Sequence, residues 1–491
     1  MKIPPEIEQV SVDPDFNKDG FQMKYNGIMI DCARLLEPRE YYDRLLRFMA
    51  DWKMNTLLLH FSDDHGLALK IPGFHKLAMH RAFSPDEMTK LIEFARSLGI
   101  DVIPELETFG HTRYITNHPS YHHLFAGKRT RDLRFNALDP LNPESLKLMK
   151  RMIREVAGIF PSPYIHLGCD EVDLNEYARK KKLDPDILWT DYVNTMIVLA
   201  RKAGKSPMIW ADHVANSDVI ARNLNKDVIL VDWRYEETIK DDVLPRLKKA
   251  GFPNLVAAPS LACYRHRFLP NSRALENIAR MAGFAAKNRI MGVITTIWCP
   301  WRYLQNTMYY GIAYSSCTVR KSGRPDIRSF HTRFARRVMG TRLEPALESF
   351  LESWTGMIMD RELATKIMKR NIVLTPEDLK HLKKVKRLGN KILSITGEYT
   401  PRKNHQIWDA MVLAVECVWV CSEGLLLSHE DSAGSRRRKQ YNRRLKEVRE
   451  KMDAEWDRTR FPDDPQKTRP LFPNNAHAYA MLLINTLPEM G

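Results

Sequence analysis

The chain has 491 residues, of which 44% are hydrophobic, 9% aromatic and 28% charged, and its formal net charge is +16. That is a globular composition, long enough for an α/β barrel plus a second unit, and no run approaches the roughly eighteen apolar residues of a membrane span. Seven cysteines form no CxxC pairs, which argues against a zinc site and fits a reducing compartment.

The first twenty residues read as an N-terminal extension. They are polar and proline-bearing and lack the basic-then-apolar order of a signal peptide, so a cytoplasmic location is expected. From residue 21 to about 330, short apolar, β-branched runs alternate with amphipathic helices. The runs fall at 28–31, 56–61, 102–106, 164–167, 208–211, 228–233, 255–258 and 291–298, each a few residues long and nearly all apolar, as strands buried on both faces should be. Ser84-Pro85-Asp86-Glu87 and Asn142-Pro143-Glu144 supply cap, proline and acid for two of the helices between them. Eight strand–helix units predict a (β/α)₈ TIM barrel, with a doubly wound open sheet as the alternative. Polar residues decide between them. Asp31, Arg34, His60, Asp63, Asp64, Glu105, Glu107, His111, Asp170, Glu171, Trp210, Asp212, Trp233, Trp298 and Trp301 all follow strand ends. A barrel gathers them at one rim; an open sheet spreads them along a line.

From 331 to 491 the pattern becomes a helical C-terminal region, expected to pack on the barrel. Thr375-Pro376-Glu377-Asp378 opens one helix, residues 404–427 form the most apolar one, and the last thirty residues, with several prolines, read as irregular. Cys417 and Cys421 lie one helical turn apart with no histidine beside them, a weak basis for a metal site. The run Arg436-Arg437-Arg438-Lys439, continued by Arg443, Arg444 and Lys446, lacks the aromatic interleaving of a nucleic-acid surface and reads as a solvated helix face.

The sharpest chemistry lies at residues 164–172, where a buried strand ends in the adjacent carboxylates Asp170 and Glu171. Two such groups repel when desolvated, so one of them should hold a proton near neutral pH. His166-Leu167-Gly168-Cys169-Asp170-Glu171 resembles the His-x-Gly-Gly-Asp-Glu motif of glycoside hydrolase family 20, the β-N-acetylhexosaminidases, with Cys169 in place of the second glycine. The resemblance runs through residues 25 to 320. Asp31-x-x-Arg34 is similar to the first-strand motif, His60-Phe61-Ser62-Asp63-Asp64 to the second, and Pro104-Glu105-Leu106-Glu107-Thr108-Phe109-Gly110-His111 to the third.

This resemblance implies a retaining exo-hydrolase of terminal β-linked N-acetylglucosamine or N-acetylgalactosamine, in which the substrate's acetamide is the nucleophile. It implies Glu171 as acid/base, Asp170 as the group that orients the acetamide, and His111 and Asp63 as residues that tune Glu171. It further implies Arg34 on the sugar hydroxyls and Trp210, Trp233 and Trp298 as walls around the acetamide and the ring. The carbohydrate is then the partner; no cofactor, metal, nucleic acid or membrane is expected.

Several positions depart from the family. Trp298-Cys299-Pro300 lacks the glutamate of the usual Trp-x-Glu, leaving Arg302 or Tyr303 near the outer hydroxyls, which would alter gluco against galacto preference or admit a modified sugar. The strand-seven tyrosine is missing, with Tyr264 the nearest substitute, and Glu107 and Phe109 replace the usual aspartate and proline. With its first strand inside thirty residues, the layout resembles the compact hexosaminidase D branch. The alternatives are another family 20 specificity, such as a lacto-N-biosidase or a sulfated-sugar hydrolase, a catalytically silent carbohydrate-binding barrel, and a polyanion-binding protein.

Overall fold

The computed structural model describes residues 21–127, 137–430, 434–467 and 479–490. The expected extension over residues 1–20 lies outside them.

Eight parallel strands form a closed ring: β1 (Tyr25–Asp31), β2 (Thr56–His60), β3 (Asp101–Glu105), β4 (Tyr164–His166), β5 (Ser206–Trp210), β6 (Ile229–Trp233), β7 (Leu255–Ala258) and β8 (Gly292–Ile297). Each pairs with the next, and β8 pairs back onto β1 with Ile28 opposite Thr295. Closure removes both sheet edges, so every strand is covered on two sides and almost every residue in it is buried. Inside the ring Met29, Leu58, Ile103, Met208, Val231, Val256 and Ile294 form a small apolar plug. The alternate side chains point outward into the larger core beneath the helices.

The helices form where caps and apolar stripes coincide. α1 (Arg39–Asp51) buries Tyr42, Leu45, Leu46 and Met49. α2 (Pro85–Ser97) opens with the full capping box: the Glu87 backbone N–H donates to Ser84 Oγ while the Glu87 carboxylate accepts from the Ser84 backbone N–H. α3 (Pro143–Ile159), α4 (Pro185–Lys202), α5 (Asp218–Asn223), α6 (Val243–Lys249), α7 (Ser272–Lys287) and α8 (Met308–Lys321) complete the outer layer. Asn142, Asp184 and Asn271 cap α3, α4 and α7. The sequence pattern missed a two-residue hairpin, Ser62–Asp63 against Gly66–Leu67, because strands so short carry no periodicity.

The helical region that follows includes α9 (Ile327–Phe334), α10 (Pro345–Ser353), α11 (Arg361–Met368), α12 (Pro376–Ile395), α13 (His405–His429), α14 (Ser435–Thr459) and α15 (Ala480–Thr486). One expectation needs correction here. By length and composition α13 is apolar enough to cross a membrane, contrary to the reading that no such run exists, yet 89% of its most apolar window is buried within the protein. It lies between α12 and α14, so its continuous apolarity is that of a helix enclosed on all sides. The final thirty residues are also less irregular than expected, since α15 falls among them, although 468–478 lie outside the described residues. The basic run begins α14. Arg436, Lys439, Arg443 and Lys446 are exposed, but Arg437 pairs with Glu423 at 2.6 Å and with Glu430, and Arg444 lies over the Trp419 ring.

This region braces the barrel mouth. Arg460, buried after α14, pairs with Glu37 and donates to the carbonyls of Pro300 (2.6 Å) and Tyr303 (3.1 Å). Trp301 stacks flat on Tyr479 at 4.7 Å. The loop after β8 is thus held from both sides.

Candidate active site

The C-terminal ends of the strands surround a pocket of about 470 Å³, the end at which barrel enzymes carry their chemistry. Arg34, Asp63, Asp64, His111, Asp170, Glu171, Trp233, Tyr264 and Trp298 line it, together with His65, Tyr235, Cys263, Cys299, Trp301, Arg302 and Arg361. A cleft of about 530 Å³ lined by Arg44, Arg47, Arg336 and Arg337 has Asp51 as its one acid and no carboxylate pair.

The site is built outward from β1. Asp31 is fully buried and accepts from the Arg34 backbone N–H, from Arg34 Nη1 and from the Cys299 backbone N–H, tying β1 to the loop after β8. Arg34 then reaches Asp63 at 2.7 Å, with its guanidinium over the Trp298 ring. Although burial opposes charge on Asp63, Arg34 and the histidines around it hold its carboxyl well below the usual range. His65 Nδ1 lies 2.7 Å from the other Asp63 oxygen.

His111 is the junction. Its Nδ1 sits 3.1 Å from Asp64, and its Nε2 lies 3.7 Å from Asp170 and 3.4 Å from Glu171. Burial opposes charge on the ring, but the carboxylates of Asp170, Asp64 and Glu171 raise it well above the ordinary histidine value. The acids facing its two nitrogens thus favour the charged form of the ring.

The carboxylate pair sits on an unusual backbone. Gly168, Cys169 and Glu171 all have positive φ (68°, 74° and 50°). At Gly168 an added Cβ would also lie 1.8 Å from the Glu107 carboxylate, so glycine is required there. Cys169 occupies a conformation that favours glycine, at a cost on the order of 1 kcal/mol. The sharp turn separates the two side chains. Asp170 is buried, whereas the Glu171 side chain is 52% exposed toward the mouth.

Their protonation differs accordingly. Burial, then the neighbouring Asp212 and Glu171 carboxylates, pushes Asp170 up to about 8 against the pull of His111. The His111 hydrogen bond draws Glu171 below the usual glutamate value. One proton on the pair is expected from the sequence, and these opposite shifts favour Asp170 over Glu171 as the group that holds it. An adjacent acid and base sharing one proton can both donate it and recover it.

A second layer lies under the pocket. Glu105 accepts from Trp210 Nε1 at 2.7 Å and approaches His60 Nδ1 at 2.9 Å. Glu107 is buried, neither carboxyl oxygen has a hydrogen-bond partner, and burial with the nearby Asp170 charge raises it well above its ordinary value. Donor atoms of His60, Glu105 and Glu107 lie within 4.8 Å of one another and are the group that could hold a metal ion among the described residues.

One of the three expected tryptophan walls lies elsewhere. Trp210 is 1% exposed and does not line the pocket, because its indole turns down to Glu105 and packs on His166 and the underside of Trp298. Trp233 and Trp298 do line it. Tyr264 stands at the mouth, 38% exposed. The buried phenol inside is Tyr235, which accepts from Trp298 Nε1 at 2.7 Å and packs on Trp233. Its signal was present in Trp233-Arg234-Tyr235, an aromatic pair astride the end of β6. Arg361 had no such signal, since it comes from α11 of the helical region.

Comparison with known proteins agrees with this geometry. The sequence model of the glycosyl hydrolase family 20 catalytic domain matches residues 23–293, more than half of the chain. A β-hexosaminidase of Vibrio furnissii is 31% identical over 194 residues, covering 34% of this chain and 31% of that protein. The β-hexosaminidase subunit β of Homo sapiens is 26% identical over 270 residues, covering 49% and 46%. The chain thus spans less than half the length of either relative. Among solved structures, the β-N-acetylhexosaminidase of Bacteroides fragilis aligns with a TM-score of 0.52 at 19% identity, covering 64% of this chain and 69% of that one, which shows a shared fold.

Proposed function

This chain belongs to glycosyl hydrolase family 20, and we propose that it is a retaining exo-β-N-acetylhexosaminidase acting by substrate-assisted catalysis. The observation that carries the reading is the Asp170–Glu171 pair bridged by His111 at the floor of an aromatic-walled pocket. Terminal β-linked N-acetylglucosamine or N-acetylgalactosamine is the proposed substrate. The catalytic unit is proposed to be the barrel over 21–330, with the helical region over 331–491 bracing its mouth.

A sugar seated against Trp233 and Trp298 exchanges water for apolar faces suited to its C–H groups. Its acetamide oxygen attacks the anomeric carbon as the bond to the leaving oxygen breaks, and Glu171 gives that oxygen a proton. The acetamide N–H donates to Asp170, whose negative charge matches the positive charge developing on the oxazolinium nitrogen. Water then attacks the same carbon, Glu171 takes its proton and the acetamide re-forms. Two inversions retain the β configuration.

Substrate itself moves the proton into position. A bound sugar covers Glu171 and strips its water, raising its pKa, while the acetamide N–H favours the charged form of Asp170. The proton that rests on Asp170 in the open pocket passes to Glu171 only when there is a bond to cleave. Arg34 and Asp63 hold His111 and the sugar's hydroxyl side.

An oxazoline mimic such as a thiazoline tests the reading. It should compete with substrate, and Asp170→Asn should weaken it by at least tenfold. Equal inhibition of both forms would remove Asp170 from the acetamide.

A further inference from the structure

We infer that a cleft on the outer wall of the barrel, between α1, the start of α8 and the start of α13, is a binding site for a small ligand carrying several phosphate groups. The cleft shares no lining residue with the pocket at the barrel mouth, so its ligand is independent of whatever that pocket hydrolyses. Its volume of about 530 Å³ falls within the usual range for small-molecule sites.

Arg44, Arg47, Arg336, Arg337 and Lys403 line the cleft, and all five are exposed. None of them forms an ion pair among the described residues, and Asp51, the acid that shares the cleft, meets Arg337 through its backbone carbonyl, at 2.7 Å. The positive side chains come from three segments whose backbones are tied down. On the barrel side α1 carries Arg44 and Arg47. Opposite it a π-helical turn, Ala335–Met339, carries Arg336 and Arg337, a conformation that recurs at functional sites. The Met339 carbonyl accepts from the Arg402 N–H at 2.9 Å and the Lys403 N–H at 3.0 Å, which fixes Lys403 beside that turn. Like charges gathered without acids repel one another, and a multivalent anion removes that cost.

Two further features point to a bound anion and not merely to a solvated face. The 25-residue α13 opens onto the cleft, with Asn404 and Gln406 among the lining residues. Asn404, its N-cap, donates its side-chain amide to the Val338 carbonyl at 2.7 Å, and no side chain caps the first turn. The first N–H groups and the positive end of the helix dipole are left at the edge of the cleft, as at helix termini that hold phosphate. Tyr309 also lines the cleft; it is 5% exposed, lies beside Arg44, and its hydroxyl has no hydrogen-bond partner among the described residues. A phosphate oxygen supplies that partner, while guanidinium groups take its other oxygens in pairs. Phe48, edge-on to Tyr309 at 4.8 Å, and Trp52 form an apolar wall suited to the flat ring of a nucleotide base.

The test is calorimetric titration of the full chain with inorganic phosphate, inorganic triphosphate, ATP and inositol hexakisphosphate, at about 0.15 M salt so that diffuse attraction is screened. At least one of the last three should bind tenfold or more tightly than phosphate. A preference for ATP over triphosphate assigns the apolar wall to a base, a preference for inositol hexakisphosphate assigns the site to ligands without one, and equal binding assigns recognition to the phosphates alone. Arg44→Gln combined with Arg336→Gln should weaken the best of these at least tenfold without lowering the unfolding midpoint. Tyr309→Phe, which removes only the buried hydroxyl, should weaken it severalfold. Arg436→Gln combined with Lys439→Gln, on the exposed face of α14, should leave it unchanged. Binding no tighter than that of phosphate, binding that survives the cleft substitutions, or an equal loss in the α14 pair would overturn the inference. Retention of a heparin polymer with none of the small ligands bound would do the same.

Discussion

Around β1 to β4 each cation of the pocket meets an acid. Arg34 lies against Asp31 and Asp63, and His111 against Asp64, Asp170 and Glu171. Around β7 and β8 the same pocket shows Arg302 and Arg361, which form no ion pair among the described residues. In the proposed mechanism the first side is pre-organised: its charges are balanced before a sugar arrives, so little reorganisation is needed when charge develops at the anomeric carbon. The second side has no such balance. The proposed chemistry thus belongs to an arc built by the barrel alone, while the opposite arc is shared with α11.

The largest effect that would break this division is at Glu171. Glu171→Gln should lower kcat on an unactivated disaccharide by roughly 10²–10⁴, about 3–5 kcal/mol of transition-state stabilisation, and by much less on a substrate whose leaving group needs no proton. Near-normal turnover of the disaccharide would move the acid elsewhere. A smaller effect sharpens the same contrast through pH. The proposed mechanism needs one proton on the carboxylate pair, and burial pushes Asp170 up to about 8. kcat/KM should therefore fall about tenfold per pH unit above that value, as the last proton leaves. The acid limb should lie below the ordinary glutamate range, where Glu171, lowered by His111, gains a second proton. Because Arg361 belongs to the other arc, Arg361→Gln should leave the basic limb in place; a shift of that limb would join the two sides electrostatically.

The barrel was legible because its strands are buried on both faces and so read as apolar runs, and Asp170-Glu171 was legible as a pair of acids ending one of them. Contacts between distant elements were not. Trp210 has the same position in its strand as Trp233 has in β6, and only the Glu105 carboxylate below it explains why the indole turns inward. Tyr235 follows β6, whereas the resemblance places the pocket tyrosine after β7, where this sequence has none. Arg361 reaches the pocket from a helix beyond the barrel, and nothing in its local sequence marks it. The location of the shared proton also depends on three-dimensional facts, namely how deep Asp170 lies and which carboxyl His111 bonds.

In the proposed mechanism the substrate supplies its own nucleophile. The direct measurement compares p-nitrophenyl β-N-acetylglucosaminide with p-nitrophenyl β-glucoside, which share a leaving group and differ at carbon 2. Intramolecular attack is worth a large effective concentration, so kcat/KM for the glucoside should be lower by at least about 10³-fold, with no covalent sugar on the protein. Comparable hydrolysis of the glucoside, with a glycosyl adduct found by peptide mass spectrometry on Asp64 or Glu105, would contradict it.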